Sequence, residues 1–93
     1  MGLDVLDLVF RLEGRFGIEI SRGDWLELMR RNEPPDVTVG DLFDLVCRRA
    51  IQGGVQEADS LWPIFQRDVS EALGVEPEEV AKWKWILRDL GAT

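Results

Sequence analysis

Three serines, one cysteine and no histidine bound the chemistry open to this chain. Ser21, Ser60, Ser70 and Cys47 are the small nucleophiles, and none has an imidazole to take its proton. The lack of His also removes the commonest metal ligand, and one Cys can form neither an intrachain disulfide nor a thiolate cluster. Cys47 closes the apolar run Phe43-Asp44-Leu45-Val46-Cys47 and reads as a small buried hydrophobe. No acids pair on a shared apolar face as acid–base catalysis requires, so no catalytic residues, no metal site and no enzyme are expected. Ser21 and Ser60 read as helix caps, each worth ~1 kcal/mol. Ser70 falls mid-helix, between Val69 and Leu73.

The elements that must hold these residues are helical. Val5, Leu8, Val9, Leu12 and Phe16 recur at helical spacing over residues 3–16, and Leu3, Leu6 and Phe10 are expected to widen the same stripe. Asp4 and Asp7 occupy the first turns, where the helix dipole favours anions, and Gly17 ends the helix. Ser21 with Asp24 forms a capping-box pattern ahead of Trp25, Leu26, Leu28 and Met29. Asn32-Glu33-Pro34-Pro35-Asp36 reads as a loop. Thr38, with Asp41 at the box position, caps a helix that buries Val39, Leu42, Phe43, Val46 and Ala50. Residues 51–60, with Gly53-Gly54, read as a linker. A last long helix, Leu61–Leu73, carries Trp62, Phe65, Val69 and Leu73, with Pro63 tolerated in its first turn and Gly74 closing it. Pro77-Glu78-Glu79-Val80 predicts a helical turn, and Lys82–Leu87 wraps back. No stretch alternates with period two for long enough to make a strand. Trp25, Trp62 and Trp83 fall on apolar stripes and are expected in the core, but Trp83-Lys84-Trp85 cannot bury both rings, so one is expected at the surface.

At 93 residues the chain is one domain with a modest core. Its net charge of -7 argues against nucleic acid and suits basic patches on partner proteins. No apolar run approaches the ~18 residues of a membrane span and no signal peptide is visible, so a cytoplasmic protein is expected.

Gly74-Val75-Glu76-Pro77-Glu78-Glu79-Val80 and Asp89-Leu90-Gly91-Ala92 near the C-terminus, followed by Leu3 to Ile20 with its Phe16-Gly17-Ile18-Glu19-Ile20 ending, resemble one continuous acyl carrier protein. The order is that of a circular permutation. Residues 61–93 correspond to the family's helix one and long loop, and residues 1–50 to helices two to four. The linker 51–60 joins the family's natural ends. The resemblance implies an all-α, small four-helix bundle with Thr93 beside Met1. In the family, a serine at the start of helix two carries 4'-phosphopantetheine, the arm that moves acyl groups in fatty acid or polyketide biosynthesis. Only Thr93, Met1 and Gly2 stand between Ala92 and Leu3, so the resemblance implies a carrier without that cofactor at its usual place. Asp59-Ser60-Leu61 offers Ser60 as an alternative attachment point. Asp4, Asp7 and Glu13 match family acids that dock on Arg and Lys of partner enzymes, whereas Arg11, Gly14 and Arg15 depart from the pattern. Without the resemblance, the same acids read as a solvated face with an Asp7–Arg11 pair worth a few tenths of a kcal/mol.

Three functions remain open on these residues: a non-catalytic carrier-like binding module, a true carrier modified at Ser60, and an assembly module. In the last, the two halves swap between chains, so the protein is a monomer or a domain-swapped oligomer.

Overall fold

The computed structural model describes residues 3–52 and 59–92. Among these are four α-helices, α1 (Leu3–Phe16), α2 (Arg22–Arg30), α3 (Val39–Gln52) and α4 (Trp62–Leu73), with 3-10 turns at Asp59–Leu61 and Pro77–Glu79. The described residues contain no strand; the helices are as the periodicity predicts, and they form the expected small all-α four-helix bundle. α3 runs two residues past Ala50, and Asp59–Leu61 is already a helical turn. The rest of the expected linker, residues 53–58, lies outside the described residues, as do Met1 and Thr93 and with them their expected adjacency.

The capping signals act as their chemistry requires. The Ser21 hydroxyl accepts from Asp24 N at 3.1 Å while the Asp24 carboxylate accepts from Ser21 N at 2.9 Å. The Asp24 carboxyl is held below its usual range, chiefly by that backbone N–H, against the opposing effect of burial and with help from Arg49. The Thr38 hydroxyl accepts from Asp41 N at 3.1 Å. Gly74 leaves α4 through a left-handed conformation, φ +69°, and its N–H bonds back to Ser70 O. The Ser70 hydroxyl, buried, donates to Val75 O at 2.6 Å and secures that exit.

Ser60 is not the cap of α4. The helix grows directly out of the 3-10 turn, its cap position is Leu61, and no side chain caps it. A preceding turn supplies the geometry that a capping side chain otherwise provides. Ser60 is an exposed member of that turn.

α1 packs chiefly on α4. Arg11 reaches Glu71 and Arg15 reaches Asp68, so the register rises along α4 as it falls along α1 and the pair is antiparallel. Val5, Leu8, Val9 and Leu12 of α1 meet Phe65 and Val69 of α4 in one core with Trp25, Leu28, Leu42, Phe43 and Val46. Cys47 is buried in it, as its apolar run predicts.

Residues 80–92 close the core from outside the helices. Val80, Ile86 and Leu90 are buried. Gly40 N donates to Lys82 O and Val39 N to Lys84 O, each at 2.9 Å, and Ile86 N donates to Val37 O at 2.8 Å. A Cβ on Gly40 would stand 3.0 Å from Lys82 O, so a larger residue here would push this pairing apart by a few tenths of an ångström. Asp36, 1% exposed, fastens the far end. Its carboxylate accepts from Val37 N at 2.7 Å, Leu87 N at 3.0 Å, Arg88 N at 3.2 Å and Arg88 Nε at 3.0 Å. Burial alone would raise the Asp36 carboxyl, but the Leu87, Arg88 and Val37 donors together outweigh it and hold the carboxyl below its usual range.

Candidate functional site

α1 turns two faces outward from one sequence. Each residue advances about 100° around a helix. That sets Val5, Leu8, Val9 and Leu12 toward α4, and Leu3, Leu6 and Phe10 nearly opposite. The latter are 82%, 36% and 62% exposed, so they do not widen the core stripe as expected. Four side chains already fill the buried arc of a two-layer contact, and a helix lying on the bundle surface has no second layer to cover the others.

Beside this apolar stripe runs a charged flank. In chain order it holds Asp4, Asp7, Arg11 and Arg15. Arg11 Nε donates to Asp7 Oδ2 at 3.1 Å, and its Nη1 lies 3.5 Å from Glu71 Oε2. Arg15 forms a two-point contact with the buried Asp68, at 3.1 and 3.4 Å. Asp7 thus stays at the surface inside an ion pair, half exposed. Glu13 has a different task. Its carboxylate is half-buried and accepts from Ile20 N at 2.9 Å, tying the end of α1 to the approach to α2. It belongs to the turn rather than to the charged flank. The pattern Glu13-x-x-x-Gly17 gave no sign of this, because the bond spans a left-handed turn.

A second exposed feature lies on the other side of α4. Trp62 packs edge-on to Phe43 with ring centres 5.0 Å apart, and Lys82 Nζ sits 5.4 Å from both rings. Trp62, Val80, Ala81 and Trp83 line a shallow apolar cleft with Gln66, Glu78 and Lys82. Trp83 is 77% exposed, contrary to the core expectation. Lys84 N bonds to Ala81 O at 3.0 Å, closing a tight turn whose tip carries the indole outward. Trp85 is the sheltered partner of the pair, covered by the Arg88 guanidinium 4.1 Å from its ring centre.

Among the described residues no group of three His, Cys, Asp or Glu side chains converges on a metal position, and no helix is long and apolar enough to cross a membrane. The Ser21 and Ser70 hydroxyls make structural hydrogen bonds to the backbone. Compared with known protein families, curated proteins and solved structures, the chain matches none.

Proposed function

We propose that the chain is a non-catalytic, acyl-carrier-protein-like domain in permuted order, working in the cytoplasm as a protein-binding module without a phosphopantetheine arm. The observation that carries this reading is the outward face of α1, an apolar stripe of Leu3, Leu6 and Phe10 beside Asp4 and Asp7. Exposed apolar side chains at helical spacing, edged by charge, are the composition of an interface whose core is dry and whose rim is polar. The matching partner surface is apolar with Arg or Lys at its edge.

A true carrier modified at Ser60 is the second reading, favoured by the exposure of that serine at the approach to α4. Intact-mass measurement after incubation with a broad-specificity holo-synthase and coenzyme A separates the two. The armless module keeps its mass. A gain equal to the phosphopantetheine group on Ser60 makes the chain a true carrier.

A further inference from the structure

The outward stripe of α1 is self-complementary. Asp4 and Asp7 occupy the N-terminal half of its charged flank, and Arg11 and Arg15 the C-terminal half. When two such helices lie antiparallel about a two-fold axis, both flanks fall on the same side with opposite polarity. Asp7 of each chain then stands beside Arg11 of the other, extending the Asp7–Arg11 pair already made within each helix. A parallel pair sends the flanks to opposite sides and gains nothing from them. The same register, in which paired positions sum to about 16 to 18, sets Leu6 against Phe10 of the other chain and Leu3 against Gly14.

Gly14 is the second observation. It lies inside α1, where glycine costs ~1 kcal/mol relative to alanine. Among the described residues no atom stands within 4 Å of the Cβ it lacks, so no contact among them calls for a glycine there. A second helix crossing at that point does, because a missing Cβ lets the backbones approach.

We propose that this face is the interface of a homodimer, with α1 packed antiparallel on α1 of a second copy through Leu3, Leu6, Phe10 and Gly14. The proposal rests on reading the face as an interaction surface and names what covers it. A single helix pair lies below the ~1,200 Å² of a stable complex, so the dimer is weak and concentration-dependent. A basic, apolar partner competes with the second copy for the same side chains.

Sedimentation over a wide concentration range tests this on the whole chain. The expected result is a reversible monomer–dimer equilibrium. Phe10→Asp, at an exposed position that leaves the helix content unchanged by circular dichroism, raises the dimer dissociation constant about thirtyfold or more, as loss of a central aromatic anchor does. Asp7→Arg sets Arg against Arg11 across the two-fold axis, and Arg11→Asp sets Asp against Asp7. Each variant alone is monomeric, and an equimolar mixture dimerises. A wild-type chain that stays monomeric throughout overturns the proposal, as does a dimer indifferent to Phe10→Asp. A mixture of the charge variants that fails to associate overturns the antiparallel arrangement. These outcomes are independent of the mass measurement, so a failed dimer and a failed armless-module reading are told apart.

Discussion

Asp36 ties two segments of the fold together through four donors. Asp36→Ala leaves the Leu87 and Arg88 amides without their acceptor, and unfolding in urea should show a loss of ~1–3 kcal/mol, the range for a buried group deprived of its partner. The pH dependence follows from the same contacts. The Asp36 carboxyl is held below its ordinary 3.8, so it binds its proton less readily folded than unfolded. Its contribution is complete above the unfolded value and is lost as pH falls through the lower, folded one. Asp24, shifted in the same direction, adds to the trend. Stability measured from neutral pH down into the acid range should therefore fall more steeply for the wild type than for Asp36→Ala; equal slopes would show that the clamp carries no charge-dependent stability. The capping role of Asp24 was legible from Ser21-x-x-Asp24, because donor and acceptor lie three residues apart. Asp36 reads as a loop residue, since its partners Leu87 and Arg88 come 51 and 52 residues later.

Helices were the readable level of organisation, and their outward faces were not. Spacing located all four, and Ser21, Thr38, Gly17 and Gly74 marked their ends for reasons local to each turn. Spacing alone could not say how wide the buried arc of α1 is, because Leu3, Leu6 and Phe10 are as apolar as Val5, Leu8 and Leu12. Only the position of α4 on one side separates the two sets. Substitution should separate them as cleanly. Leu12→Ala and Phe65→Ala, both at fully buried positions, should each cost ~2–5 kcal/mol. Phe10→Ala, measured in dilute solution, should stay within ~0.5 kcal/mol of the parent. If Phe10→Ala melts as early as Leu12→Ala, the stripe is core and the docking face does not exist. Trp83 was misplaced for a related reason, as it lies in a turn between backbone pairings that no periodicity describes.

At the scale of the molecule, a modest bundle is completed by a C-terminal segment held across α3, while one side of α1 stays uncovered. On the carrier-like reading proposed above, Arg11, Gly14 and Arg15, which depart from that family's pattern, lie on or beside the uncovered side of α1. The central claim is that this side is where the protein meets other proteins, including its own copies. Backbone amide spectra recorded by NMR from dilute to concentrated solution test it most directly, because each residue reports separately. Shifts should concentrate on Leu3, Leu6, Phe10, Arg11 and Gly14 and leave the buried α3 residues Leu42 and Val46 unmoved. Concentration-dependent shifts centred on Trp62, Lys82 and Trp83, with α1 unchanged, would contradict the account and move the interaction surface to the tryptophan cleft.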